Sequence, residues 1–181
     1  VHQYLPHRME EGYGLSQSAV ENCLARHPVK LFLAVDCGST AVQPIGWLRS
    51  RGVEVVVLDH HQLSTPLPAA VALVNPQRNA GGAEGAGARP AFHELCSAGL
   101  AFKLAHALVK RGRELGFPEF AAFDIRTFLD LVALGTIADL VPLTGENRIL
   151  VSAGLKRLRR SEEHTSELQS HHDLVCRLLL E

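Results

Sequence analysis

Two apolar runs of strand length constrain the fold of this chain, because each ends in residues that suit metal or phosphate chemistry. The run at residues 30–35 is followed by Asp36, and the run at residues 53–58 is followed by Asp-His-His at residues 59–61. Continuous apolar runs are typical of strands buried on both faces of a parallel sheet. Carboxylate oxygen and imidazole nitrogen together are ligands for Mn²⁺, Mg²⁺ or Zn²⁺. Taken alone, residues 59–61 are also compatible with a solvated turn.

The segments around these runs predict an α/β fold. A helix is expected between them, at about residues 40–51, and the order strand, helix, strand favours a parallel sheet with right-handed crossovers. The spacing of Ser18 and Glu21 is that of a capping box, which predicts the start of an earlier helix. Strands are also expected at residues 1–5 and 70–74.

The second half of the chain predicts a loop followed by helices. Residues 78–90 are rich in Gly and Ala and predict a flexible loop. Helices are expected at residues 97–113, at 120–138 and from about Glu146 onward. The second of these is expected to bury Phe128, Leu131, Val132 and Ile137 and to present Asp139 at its end.

Composition narrows the class of protein. A chain of 181 residues suits one domain, and its net charge of −1 gives no overall basic field for nucleic acid, although a local groove can still be basic. The four cysteines lack CxxC spacing, which favours reduced thiols in a cytoplasmic protein. No stretch of the sequence is apolar and long enough to span a membrane.

Four segments, in this order along the chain, resemble the DHH phosphoesterase superfamily and, within it, the RecJ family of single-stranded-DNA-specific exonucleases. They are residues 5–15, 35–38, 59–61 and 133–143. The set is specific although no single segment is, and the resemblance covers about residues 1–159. It implies a parallel-sheet α/β domain with helices on both faces, here incomplete at both ends.

The resemblance implies roles for particular residues. Asp36, His60 and Asp139 correspond to metal ligands, and Asp36 is the expected bridge between two ions. His61 would face the scissile phosphate, and Asp59 would either orient a neighbouring imidazole or bind metal directly. We expect the side-chain tips of the three ligands to converge within roughly 4–8 Å, since paired ions lie about 3.5–4 Å apart.

The same resemblance implies an activity. It predicts a fragment of a 5′-to-3′ exonuclease that hydrolyses phosphodiester bonds in single-stranded DNA with two Mn²⁺ or Mg²⁺ ions, and in which Arg8 contacts a phosphate. The implied partners are single-stranded DNA and a single-strand-binding protein, with the enzyme a cytoplasmic monomer. An Asp-rich turn and a substrate-clamping domain of the family have no counterpart in this sequence, so the fragment itself is expected to hydrolyse little.

Two other functions are compatible with these residues. One is a DHH phosphodiesterase or pyrophosphatase that acts on short oligonucleotides or cyclic dinucleotides. The other is a non-catalytic DHH-fold scaffold. Such relatives lose metal ligands, so this alternative is disfavoured by the presence of four residues, Asp36, His60, His61 and Asp139. The segments at residues 5–15 and 133–143 favour the RecJ family over other members.

The sequence from residue 160 onward does not read as part of the domain. Residues 160–181 resemble the in-frame translation of a sequencing adapter, and His171 and His172 would then be no metal site. An amphipathic helix is the competing interpretation. The domain is therefore expected to comprise residues 1–159.

Deleting residues 160–181 should leave the thermal unfolding midpoint unchanged, because an adapter-derived segment would not have been selected to pack on this fold. The measurement is calorimetry of the chain with and without the segment. A markedly lower midpoint after deletion would contradict the adapter interpretation.

Overall fold

The computed structural model describes residues 1–79 and 92–159, so most of the predicted loop and the whole segment from residue 160 lie outside the described residues. Within those ranges the strands form one parallel sheet in the order β1, β2, β3. The strands are β1 (Leu31–Val35), β2 (Glu54–Leu58) and β3 (Ala72–Val74). Their register places Val35 opposite Leu58, and Leu58 opposite Val74.

The helices follow the order that the sequence predicts for an α/β chain. They are α1 (Arg8–Glu11), α2 (Gln17–Arg26), α3 (Val42–Ser50), α4 (Ser97–Glu114), α5 (Pro118–Ala121), α6 (Leu129–Ala138) and α7 (Gly145–Leu158), with 3₁₀ turns at Pro76–Asn79 and Ile125–Phe128. None of the helices in the described ranges has the length and apolar character that crossing a membrane requires.

Helices cover both faces of β2, as predicted. Val55 and Val57 are fully buried in a core with residues of α2 and α3, whereas Leu58 packs with Leu95 and with Leu100 of α4. Adjacent residues of a strand point to opposite faces, so α4 lies across the sheet from α2 and α3.

Strand β1 differs from the expectation that both strands are buried on both faces. Leu31, Leu33 and Val35 are 59%, 46% and 44% exposed, while Ala34, which points the other way, is buried. The reason is that α4 packs against β2 and not against β1 in the described part of the chain.

The start of the chain also departs from prediction. Helix α2 is capped by Ser16, whose Oγ accepts the N–H of Ala19 at 3.1 Å, and not by Ser18. Ser16 has the extended backbone that an N-cap needs, whereas Ser18 is already helical. The strand predicted at residues 1–5 is wrong. That segment is held instead by the buried carboxylate of Glu11, which accepts hydrogen bonds from the Tyr4 hydroxyl and the His7 N–H.

The single helix predicted at residues 120–138 is wrong, because the chain breaks between α5 and α6. Arg113 of α4 donates its guanidinium to the carbonyls of Phe120 (2.9 Å) and Phe123 (2.7 Å), which a continuous helix would need. The carboxylate of Asp124 then accepts the N–H of Arg126 and caps the next turn. Contacts between segments distant in sequence therefore end α5.

The inward positions predicted for this region are partly wrong for the same reason. Val132 is buried and Ile137 is half-buried, but Phe128 and Leu131 are 44% and 61% exposed. The break changes the helical phase, so Ala133 and Thr136 face the core beside Val132.

Helices α6 and α7 cross at a point where only glycine fits. A Cβ on Gly154 would lie 2.1 Å from the Leu129 carbonyl oxygen and 2.5 Å from the Ala133 Cβ. The first is a backbone atom and the second belongs to a fully buried residue, so neither can move away easily and the crossing depends on the missing side chain. Because α6 ends at Asp139, this crossing also places that carboxylate.

Gly154→Ala should lower the free energy of unfolding by about 1–3 kcal/mol, because the added methyl group overpacks the crossing. The matched control is Gly46→Ala in α3, where a Cβ would meet no atom within 4 Å. That change should be neutral or stabilise by about 0.4–1 kcal/mol. Urea denaturation of both variants measures the difference, and equal effects would contradict the close crossing.

Candidate metal centre

A polar residue directly follows each of the three strands, at the carboxyl edge of the sheet. Asp36 follows Val35, Asp59 follows Leu58 and Asn75 follows Val74. The ladder continues into this row, since the Asp36 N–H donates to the Leu58 carbonyl (2.9 Å) and the Asp59 N–H to the Val74 carbonyl (3.1 Å). The parallel register therefore brings three side chains from distant parts of the sequence to one edge, where open α/β sheets bind ligands.

Asp36 is held in a conformation that is uncommon for a residue with a side chain. Its φ is +64°, in the left-handed region, and its side chain is 63% exposed. The turn that follows packs tightly, because a Cβ on Gly38 would lie 3.2 Å from Val57 and the φ of Gly38 is +110°. A backbone held in a sparsely populated region at a cluster of charged groups is typical of functional sites.

Asp59 is the buried support of the cluster. It is 1% exposed, and one carboxylate oxygen accepts the N–H of His60 (2.8 Å) and the imidazole N–H of His61 (2.7 Å). The other oxygen accepts the N–H of Ser39 at 2.9 Å. Burial opposes ionisation, but the hydrogen bonds from His61 and Ser39 outweigh it and hold the pKa of Asp59 below its usual value.

His60 lies between two carboxylates. Its Nε2 is 3.5 Å from Oδ1 of Asp36 and 3.3 Å from Oδ2 of Asp139. The nitrogen is buried, yet neither contact has the geometry of a hydrogen bond, and no other partner exists in the described residues. A buried polar atom without a partner is costly, and an ion shared with the two carboxylates would satisfy it.

Asp139 reaches this cluster from the opposite side, at the C-terminal end of α6. Its N–H closes the helix on the Gly135 carbonyl (3.0 Å), and Leu140, the next residue, turns the chain with a φ of +56°. Gly135 lets α6 approach α4, since a Cβ there would lie 2.7 Å from the Ala98 Cβ. Helix packing therefore positions Asp139.

His61 is the exposed member of the cluster. Its side chain is 59% exposed, and its ligand atom lies within 4.8 Å of those of Asp36 and His60. The hydrogen bond to Asp59 raises the pKa of His61 above its usual value, which favours the protonated ring. Such a cation beside the cluster suits contact with an anionic group.

Arg8 is not seen in contact with the cluster. Its guanidinium stacks on the ring of Tyr13, 3.8 Å from the centroid. Helix α2 precedes β1 and packs with it around one core, so it runs back against the strand and its beginning lies toward the carboxyl edge. The segment with Arg8 and Tyr13 precedes this end of α2, and its Glu11 accepts a hydrogen bond from Asn22 of α2 at 2.6 Å.

Two supporting residues were missed in the sequence. Ser39 and Asn75 are buried, and Nδ2 of Asn75 donates to Oγ of Ser39 (2.8 Å) and to the His61 carbonyl (2.8 Å). The position of Asn75 directly after an apolar strand, like that of Asp36 and Asp59, was the pattern that could have identified it.

The residues brought together fit a divalent cation. Asp36, His60 and Asp139 offer two carboxylates and one imidazole around a buried, unpartnered nitrogen, and Asp59 fixes the neighbouring His61 from behind. Hard oxygen with imidazole nitrogen suits Mn²⁺ better than soft metals. The arrangement defines a class of protein, a parallel-sheet α/β domain with a carboxylate–imidazole cluster at its carboxyl edge.

The chain belongs to the DHH family. The model of the DHH family N-terminal domain matches residues 1–136. This range includes Asp36, residues 59–61 and most of α6.

Similar proteins carry the RecJ name. The chain is 39% identical over 158 residues to the single-stranded-DNA-specific exonuclease RecJ of Bacillus subtilis, covering 87% of this chain and 18% of that protein. It is 42% identical over 166 residues to the protein of the same name from Thermus thermophilus, covering 89% and 21%. The chain thus spans about a fifth of the length of these relatives.

Two solved structures are similar in fold. One is described as exonuclease RecJ bound to manganese, with a TM-score of 0.67 and 39% identity, covering 88% of this chain and 36% of that one. The other is RecJ of Thermus thermophilus in complex with Mn²⁺, with a TM-score of 0.62 and 36% identity, covering 81% and 19%. The parallel α/β fold that the sequence predicts is confirmed.

In the metal-free protein, Cys37 should resist alkylation. Burial, with the carboxylates of Asp59 and Asp36 acting in the same direction, raises the pKa of its thiol from 9.0 to about 11. Because the thiolate is the nucleophile, the alkylation rate should still be rising with pH beyond 9.0. Peptide mapping after iodoacetamide treatment with a chelator present measures this. The urea-unfolded chain is the control, and a rate that levels off at 9.0 in the folded chain would contradict the burial.

Proposed function

We propose that this chain forms part of a metal-dependent exonuclease that hydrolyses the phosphodiester bonds of single-stranded DNA in the 5′-to-3′ direction. The observation that carries the proposal is the buried Nε2 of His60, unpartnered between the carboxylates of Asp36 and Asp139. Membership of the DHH family and the similarity to single-stranded-DNA-specific exonucleases support the choice of substrate. The chain spans only part of those relatives, so the activity is that of the whole protein.

The ion is Mn²⁺ or Mg²⁺, held by Asp36, His60 and Asp139. The manganese named for both similar structures supports Mn²⁺. When bound, such an ion supplies a Lewis acid that activates water and offsets negative charge on the phosphate. A second ion would share the exposed carboxylate of Asp36, with its further ligands supplied by the rest of the protein.

The chain's own residues supply orientation and charge. Asp59 holds the His61 ring through its Nδ1–H, so the ring can turn only with the loss of that hydrogen bond. The raised pKa of His61 keeps its imidazole protonated at higher pH than usual, and the cation then binds a non-bridging phosphate oxygen. Arg8 contacts a second phosphate of the strand.

The remaining properties are part of the same proposal. We expect single-stranded DNA and a single-strand-binding protein as partners, a monomer as the active form, and the cytoplasm as the location. The domain comprises residues 1–159, and residues 160–181 are derived from an adapter.

In the full-length protein that carries this chain, Asp36→Ala and Asp139→Ala should each reduce nuclease activity by orders of magnitude and weaken Mn²⁺ binding. Each removes one carboxylate from the ion. The matched control is Asp130→Ala, which removes a carboxylate at the other end of the helix that carries Asp139. For the imidazole, His60→Ala is compared with His106→Ala, an exposed position on α4.

The assay is release of mononucleotides from end-labelled single strands with Mn²⁺ present, with duplex DNA and a cyclic dinucleotide as competing substrates. Preference for the cyclic dinucleotide would replace the proposal with a small-molecule phosphodiesterase. Undiminished binding of single-stranded DNA without hydrolysis of any substrate would favour the scaffold alternative.

A further inference from the structure

Asn75 stands in the same row as Asp36 and Asp59 but bears no charge, and its Oδ1 already accepts the N–H of Gln77. It follows β3 and is only 6% exposed, so solvent can satisfy little of its amide. A buried amide is expensive unless its hydrogen-bonding groups are satisfied. Its hydrogen bonds therefore indicate what it does.

Every group of the Asn75 amide is used. Oδ1 accepts the N–H of Gln77 at 2.8 Å, which closes a local turn within the chain after β3. The two N–H groups leave that local turn and donate to Oγ of Ser39 and to the carbonyl of His61, each at 2.8 Å. Only the donors reach the rest of the site.

These two acceptors belong to the two turns that carry the cluster. Ser39 lies in the turn that starts at Asp36, and its N–H also holds the buried carboxylate of Asp59. The His61 carbonyl belongs to the turn that carries both imidazoles. The Asn75 amide therefore links the turn with Asp36 to the turn with His60, in addition to the strand ladder and the bond from the Ser39 N–H to Asp59.

We propose that Asn75 is a positioning residue of the metal centre, which keeps the Asp36 carboxylate and the His60 imidazole at the separation that one ion requires. The proposal rests on the proposed function for the identity of the ion. For the geometry it rests on the hydrogen bonds of the Asn75 side chain.

The variant Asn75→Asp separates the two halves of the side chain. A carboxylate retains the acceptor for the Gln77 N–H, so the turn after β3 persists. It has no donors, so the hydrogen bond to the His61 carbonyl is lost and negative charge faces that carbonyl, whereas the Ser39 hydroxyl can turn and donate to the new carboxylate. The loss is thus directed at the link between the turns.

In the full-length protein, Asn75→Asp should weaken Mn²⁺ binding about ten- to hundred-fold, the usual effect of removing a group that orients metal ligands. Free Mn²⁺ is followed by electron paramagnetic resonance. In a crystal structure of the metal-free variant, the distance from His60 Nε2 to Asp36 Oδ1 should exceed the present 3.5 Å.

The matched control is Asn22→Asp. It also removes an amide donor, the one that holds Glu11 at 2.6 Å, but on α2 and away from the cluster. It should lower the thermal midpoint and leave Mn²⁺ affinity unchanged. Equal losses of Mn²⁺ affinity in both variants would show a merely structural role for Asn75 and overturn the proposal.

Ser39→Ala is the second variant, in case Asn75→Asp does not fold. It removes one acceptor of the Asn75 amide and keeps the Ser39 N–H that binds Asp59. It should weaken Mn²⁺ binding by a few-fold. The double variant with Asn75→Asp should lose little more Mn²⁺ affinity than Asn75→Asp alone, because both changes act through one link. Full additivity, or no effect of either change, would overturn the proposal.

The metal-free structure separates this proposal from the proposed function. If the parent protein binds no Mn²⁺, the proposed metal centre fails, yet a longer His60–Asp36 distance in the variant still supports positioning. If the parent binds Mn²⁺ and the variant keeps both the distance and the affinity, the positioning role fails alone.

Discussion

The site depends on the parallel ladder continuing one residue past each strand. The hydrogen bonds from the Asp36 N–H to the Leu58 carbonyl and from the Asp59 N–H to the Val74 carbonyl align three chain segments in one row. A slip of one residue in this register would turn each of these side chains to the other face of the sheet. The buried Val55 and Val57 prevent such a slip, because they would then leave the core that α2 and α3 cover. Packing beneath the sheet thus maintains the geometry of the edge.

A second constraint is the cost of a buried charge. The Asp59 carboxylate is almost completely buried, and backbone N–H groups together with the His61 imidazole stabilise its ionised form. Those same donors belong to the residues of the site, so satisfying Asp59 also orients them. His60 is the complement: its Nε2 is left without a partner. The site is therefore well ordered around the Asp59 carboxylate, but the Nε2 of His60 lacks a hydrogen-bond partner. A bound ion would satisfy that nitrogen without requiring the rest of the site to rearrange.

Sequence reasoning succeeded where a local pattern was sufficient and failed where distant contacts competed with it. Strands β1 and β2 and helix α3 lie close to their predicted ranges because apolar runs and breakers determine them locally. The helix predicted at residues 120–138 failed because Arg113, on a different helix, binds two carbonyls that the helix needed. The cap of α2 was misplaced by two residues because Ser16 and Ser18 are both acceptable caps, and only the path of the preceding turn selects one.

The sequence by itself determined the parallel α/β class, the strand ends and the residue types at the candidate site, because strand length, apolar runs and metal-ligand chemistry are local properties. Only the tertiary structure decided that Asp139 meets His60, since the crossing of α6 with α7 at Gly154 and the approach of α6 to α4 at Gly135 place it there. The position of Asn75 after an apolar strand is visible in the sequence, but only the tertiary structure disclosed its role, because an uncharged amide acquires that role from the two turns that it joins. Those turns lie far apart in sequence, and the register of the strands brings them within reach of one amide, which no pattern along the chain specifies.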